Sequence, residues 1–115
     1  MKKIYLMIVL IAPLFTSCMS VSSLYYWDKY EDASYKNYKQ GTDEAKAELM
    51  AVYEKMMTKQ IGTRKTIAPG ICAEYGYMLI QAGKVEEGVN YLKKEIELYP
   101  ESRVFIERII KQYEP

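Results

Sequence analysis

The chain contains no histidine among its 115 residues. That removes the commonest general base and the commonest neutral metal ligand together. Two cysteines, Cys18 and Cys72, are too few for a disulfide framework. Charge of one sign is also missing: 16 Lys and Arg against 15 Asp and Glu leave +1, so no long-range field draws the chain to nucleic acid or an acidic surface. Long hydrophobic runs are missing as well. The apolar run Ile4–Phe15 (IYLMIVLIAPLF), interrupted by Pro13, falls short of the roughly 20 residues that span a bilayer.

What is present in abundance is tyrosine, twelve of them, joined by Trp27, Phe15 and Phe105. A tyrosine buries its ring while its hydroxyl stays wet, which suits a thin core and a contact surface alike.

Met1-Lys2-Lys3 ahead of the apolar run supplies the positive start of a secretory signal, and Phe15-Thr16-Ser17-Cys18 closes it with small residues before a cysteine. This ending resembles the bacterial lipobox, with Phe15 where leucine is more usual. The resemblance implies that residues 1–17 are a signal peptide and that Cys18 is lipidated, leaving Cys72 without a partner. Acyl chains on Cys18 would anchor firmly, since each buried methylene adds about 0.8 kcal/mol. By resemblance to enterobacterial lipoproteins, Met19 stands where aspartate would mark inner-membrane retention, which implies the outer membrane, with the domain expected to face the periplasm. Residues 18–23 form a tether of at most about 18 Å, and residues 24–115 form one small domain.

Periodicity in that domain predicts helices throughout. Tyr26, Trp27, Tyr30, Ser34 and Tyr38 form an aromatic-rich stripe over residues 24–40. Thr42 caps a second helix, to about Lys59, with Ala45, Leu49, Val52, Tyr53 and Met56 on one face. Residues 61–68 read as a loop, the candidate mobile part, before a helix started by Pro69. Ile71, Tyr75, Met78, Leu79 and Ala82 form its apolar face, and Val85, Val89, Leu92 and Ile96 continue the pattern after Gly83. Ser102 caps a last helix with Phe105, Ile106, Ile109, Ile110 and Tyr113, which covers the open end of the hairpin. Gly41, Gly62 and Gly83 sit where helix C-caps want a left-handed residue.

The segment from Pro69 to Ser102 resembles a tetratricopeptide unit in length, with Gly76 and Gly88 at the small positions of its two helices, Gly83 at the turn and Pro100 as terminator. Glu95 replaces the usual alanine and Cys72 stands where tryptophan is common. Residues 24–59 are at best a degenerate copy. The expected fold is therefore all-α: about five helices in antiparallel hairpins, tetratricopeptide-like, with a C-terminal capping helix.

Leu24-Tyr25-Tyr26-Trp27 with Tyr30-Glu31, Pro69-Gly70, Glu74-Tyr75-Gly76-Tyr77 and Tyr99-Pro100-Glu101-Ser102 give the chain a further likeness. It resembles a small family of bacterial lipoproteins known only as domain of unknown function 4810. That resemblance implies an accessory role in an envelope assembly, beside a CsgG-like outer-membrane lipoprotein.

No constellation carries chemistry at this level. The carboxylates Asp28, Glu31, Asp32, Glu86, Glu87, Glu95 and Glu97 read as solvated helix faces rather than metal ligands or an acid–base pair. Cys72, with no imidazole to activate it, reads as a buried, inert thiol. Tyr25, Tyr26, Trp27 and Tyr30 follow the anchor closely enough to touch headgroups as an interfacial belt, although packing on the second helix is the stronger reading. Lys59, Arg64 and Lys65 read as a solvated loop, with anionic headgroups or an acidic partner as the alternative.

An interaction module follows as the expected function, with Tyr77, Gln81, Asn90 and Lys94 as candidate partner-binding residues. Its partners would be the membrane, through the lipid anchor, and another envelope lipoprotein or peptide segment, not nucleic acid. No cofactor or metal is expected. A passive cap or spacer of an envelope complex is the alternative, and an enzyme finds no motif to rest on.

Overall fold

A computed structural model describes residues 1–11 and 22–114. Cys18, the end of the expected signal peptide and most of the expected tether, residues 18–23, lie outside them. Among the described residues the chain is all-helical, with six α-helices and a single 3-10 turn. Helix α1 (Lys2–Ile11) falls within the apolar N-terminal segment expected to be a signal peptide and exposes Ile4, Tyr5 and Met7. No described helix is long and apolar enough to cross a membrane.

The first helix of the domain, α2 (Tyr30–Gln40), begins six residues later than the aromatic stripe predicts. Asp28 adopts φ +47, in the left-handed region that breaks a helix, and residues before it run alongside the loop at 61–65. The Thr63 and Arg64 N–H groups donate to the Ser23 and Leu24 carbonyls, each at 3.0 Å. The loop expected to be the mobile part is thus stitched to the start of the domain. Gly62 makes this possible, because a Cβ there would lie 2.5 Å from the Leu24 oxygen and the Tyr25 Cα. It is therefore a close-approach glycine and caps no helix.

Gly41, at φ +60, ends α2 as expected. Thr42 then accepts the Ala45 N–H at 3.2 Å, and Asp43 and Glu44 occupy the positive end of α3 (Asp43–Thr58). Ala45, Leu49, Val52, Tyr53 and Met56 are its buried residues, the face that the spacing predicts.

Helix α4 (Ile71–Gln81) starts two residues after Pro69, with Gly70 at φ +88 as the residue before it, so the proline stands outside the helix rather than in its first turn. Gly83, at φ +85, turns the chain into α5 (Val85–Leu98). The two helices cross at Gly76 and Gly88. A Cβ on Gly76 would lie 2.6 Å from the Gly88 carbonyl oxygen, so side chains on either would force the backbones apart. This is the close crossing that the tetratricopeptide likeness requires.

Helix α6 (Arg103–Ile110) is preceded by the 3-10 turn Pro100–Ser102, and Ser102 donates to the Tyr99 carbonyl instead of capping the helix. Ile106 and Ile110 close over Val89, Leu92 and Ile96 as a cap. Phe105, expected in that apolar set, is 67% exposed instead. The main core lies between α3 and α4, where Val52, Met56, Ile71, Cys72, Tyr75 and Leu79 pack together.

Candidate interaction surface

Six aromatic rings run in an unbroken series across the domain. Tyr25 and Trp27 come from the segment before α2, and their centroids lie 6.2 Å apart. Trp27 meets Tyr30 of α2 at 5.7 Å, and Tyr30 meets Tyr53 of α3 at 5.9 Å. Tyr53 meets Tyr75 of α4 at 5.8 Å, and Tyr75 meets Tyr91 of α5 edge-on at 4.7 Å. Spacings of this order make each pair favourable by about 0.5–1.5 kcal/mol beyond its buried area. The row thus ties the first hairpin to the second.

Glu74 sits at the middle of the row. Its Oε2 accepts the hydroxyl of Tyr30 at 2.8 Å and that of Tyr53 at 2.7 Å, so one carboxylate oxygen joins α2, α3 and α4. Burial, reinforced by the hydrogen bond to Glu74, pushes both phenols above their ordinary pKa. Tyr75 is pushed up to about 12, chiefly by burial and then by Glu54, whose Oε1 accepts its hydroxyl at 3.4 Å. These phenols remain neutral donors at any physiological pH. Glu74 receives both hydroxyls through this one oxygen.

Asp28 is drawn inward too, where sequence reading makes it solvated. Its Oδ1 accepts the Tyr26 hydroxyl at 2.9 Å, which holds its carboxyl below the usual range, and Lys55 Nζ lies 3.8 Å from its Oδ2.

Glu95 departs furthest from the solvated reading. It is 2% exposed, and its carboxylate accepts the Gly70 N–H at 2.7 Å and the Ala73 N–H at 3.4 Å. From α5 it caps the start of α4, satisfying N–H groups that have no partner inside that helix. Cys72 lies nearby, and burial, then the Glu95 charge, pushes its thiol up to about 11. The thiol is buried, as the sequence reading expects, and its raised pKa keeps it protonated near neutral pH.

The aromatics expected to lie near the membrane occupy different environments. Tyr25 and Tyr30 pack against the main core, Tyr26 is half-buried, and Trp27 is 40% exposed. Tyr25 is also covered by Arg64, whose guanidinium reaches its hydroxyl at 3.1 Å and its ring at 5.8 Å. Lys59 and Lys65 are exposed.

Of the candidate partner-binding residues, Tyr77, Gln81 and Asn90 are exposed and Lys94 is half-buried, with its Nζ 5.8 Å over the Tyr91 ring. Gln81 borders a groove with Asn37, Asp43, Lys46 and Met50, whereas Asn90 borders one at the α4–α5 turn with Lys84 and Glu87. The four do not share a cavity.

A surface groove of about 710 Å³ follows α2 instead, lined by Trp27, Tyr30, Glu31, Ser34, Tyr35 and Tyr38. Tyr35 escapes the sequence reading, although the spacing of Trp27, Glu31, Tyr35 and Tyr38 marks one helix side. Periodicity identifies such a stripe but does not say whether it is covered. Among the described residues no group of His, Cys, Asp and Glu could hold a metal ion.

No curated protein and no solved structure matches the chain. A family profile described as a domain of unknown function does match, over residues 24–109, which takes in the aromatic row, the Glu74 junction, the Glu95 cap and nearly all of α6. The chain belongs to the DUF4810 family.

Proposed function

We propose that the chain is a lipid-anchored accessory module of the bacterial envelope. Residues 1–17 direct export and are removed, Cys18 carries the acyl chains, and the helical domain engages another envelope lipoprotein or a peptide segment. The observation that carries this reading is Thr16-Ser17-Cys18 at the end of the apolar run Ile4–Phe15. Support comes from Ser22 and Ser23, which contact Thr63 and stand only a few positions after Cys18 in the sequence.

A CsgG-like outer-membrane lipoprotein is the partner proposed first, with Tyr77, Gln81, Asn90 and Lys94 as contact residues on α4 and α5. We propose no enzymatic role, because the chain holds no imidazole and no recognisable catalytic motif.

Mass spectrometry of the N-terminal peptide tests the anchor: Cys18 is expected to bear a diacylglyceryl group, and Cys18→Ser to accumulate as uncleaved precursor without palmitate label. An unmodified Cys18 in the mature chain would sink the reading. Cross-linking in membranes, followed by detergent solubilisation, tests the partner; recovery without any other envelope protein would count against it.

A second reading, a passive cap or spacer, is favoured by the placement of Gln81 and Asn90 on two separate grooves, neither of which Tyr77 or Lys94 lines. Under it, alanine at those positions leaves assembly intact.

A further inference from the structure

The loop that joins α3 to α4 is fixed from both sides. Thr63 and Arg64 donate their N–H groups to the Ser23 and Leu24 carbonyls, and Lys65 donates its own to the Gly62 carbonyl at 3.0 Å. The Gln60 side-chain amide donates to the Met56 and Met57 carbonyls at the end of α3. Side chains on this loop and on the segment paired with it are therefore presented as a set. Two of them are large, apolar and open to solvent: Leu24 is 54% exposed and Ile61 73%.

The same loop carries Lys59, Arg64 and Lys65, all exposed, and among the described residues none of the three forms an ion pair. No acidic residue occurs from 59 to 70 or from 22 to 27. Nearby acidic side chains belong to other elements, each with a cation beside it in the chain. Glu31 and Asp32 follow Lys29 at the start of α2, Asp28 lies 3.8 Å from Lys55, and Glu101 precedes Arg103. The unbalanced positive charge is thus confined to the loop that displays Ile61. Exposed apolar side chains among cations suit the headgroup region of an anionic bilayer.

Chain length selects that occupant over an acidic protein. Cys18 and Ser22 are four positions apart, so with an acylated Cys18 at most about 14 Å of chain separates the bilayer from the segment that pairs with the loop. Headgroup charge acts over a screening length of about 8–10 Å, which makes the bilayer the surface always within reach. We infer that this end of the domain docks on anionic phospholipid: Leu24 and Ile61 enter the headgroup region, and Lys59, Arg64 and Lys65 meet the phosphates. The inference rests on the lipid-anchor reading and deepens it, because it assigns the face that the domain turns to the membrane. The α4–α5 turn, at the far end of an 11-residue helix, then faces away from the bilayer and is left open to partners.

The test uses the protein purified from membranes with its own N-terminus and reconstituted in vesicles of phosphatidylglycerol and phosphatidylcholine. An environment-sensitive nitrobenzoxadiazole label is placed at Ile61→Cys or, as the distal control, at Lys84→Cys; Cys72 is buried, and unsubstituted protein treated alike gives the background. The label at 61 is expected to shift to the blue and to be quenched by lipid spin-labelled at the headgroup, and the label at 84 to do neither. Reversing Lys59 and Lys65 to glutamate is expected to weaken docking about tenfold or more, as is replacing the vesicles by neutral phosphatidylcholine. Equal signals from the two labels, or a label at 61 indifferent to both lipid charge and loop charge, would overturn the inference while the protein still floats with the vesicles. Protein that leaves the vesicles on flotation would overturn the anchor reading and this inference with it. If the charge variant loses its helical circular dichroism, the comparison of lipids with the native loop decides alone.

Discussion

The carboxylate of Glu95 accepts the N–H of Gly70 at 2.7 Å, reaching from the middle of α5 to the start of α4. A buried charge is tolerated there because it meets the positive end of a helix dipole and two N–H donors, and the hydrogen bond is charge-assisted. The contact also shows why a helix can start at Gly70, a residue that brings no capping side chain of its own.

Glu95→Ala is therefore expected to strand the Gly70 and Ala73 N–H groups without a partner, for a loss of about 1–3 kcal/mol. Glu95→Gln keeps an acceptor oxygen and is expected to lose less. Thermal denaturation of the full chain followed by circular dichroism checks the ordering; equal stability of the alanine variant and the native chain would refute the capping role.

Gly62→Ala drives a Cβ into the Leu24 carbonyl and Tyr25 backbone. The segment at 22–27 is expected to detach from the loop while the two hairpins stay folded. Red-shifted emission from Trp27, the single tryptophan, together with faster proteolysis near residue 25, would report it. Unchanged emission would show that the loop can yield.

Gly76→Ala and Gly41→Ala separate packing from backbone strain. At Gly76 the new methyl meets backbone oxygen, so overpacking of about 1–3 kcal/mol is expected. At Gly41 there is open space, and only the left-handed φ of +60 is penalised, by about 1–2 kcal/mol. Urea unfolding of the two variants measures the difference, and Gly76→Ala alone is expected to disturb the Tyr75–Tyr91 contact seen in near-ultraviolet circular dichroism.

Alkaline pH acts on the aromatic row. Tyr30, Tyr53 and Tyr75 have pKa values raised by burial above the ordinary value near 10. A raised pKa in the folded state means that the neutral phenol is favoured by folding. That stability is fully present below pH 10 and is lost as pH climbs towards about 12, the value for Tyr75. Tyrosinate absorbance from the row is expected to rise only together with unfolding. A single smooth titration with helicity intact would disprove the row's burial.

The order of the helices was readable because its causes are local. Apolar spacing on α3, the Thr42 cap and the glycines at 41 and 83 act within a turn or two of chain. The helix crossing was readable for a related reason: small residues at 76 and 88 fit a repeat whose geometry constrains them. The unreadable parts depend on residues far apart in sequence. Trp27 and Tyr30 keep a helical spacing, yet the backbone at 22–27 pairs with 63–64 because Gly62 admits it and Asp28 breaks the helix.

Sequence alone thus determined an all-helical domain in antiparallel hairpins, since helix periodicity and caps are properties of neighbouring residues. Only the tertiary structure decided what each charged or aromatic side chain faces. Glu95 and Glu97 look alike along the chain, but one is enclosed against α4 and the other is exposed. Tyr38 and Tyr53 are both tyrosines on helical stripes, one 88% exposed and the other buried. The difference arises because burial is set by which helix comes to lie opposite, and no local spacing contains that information.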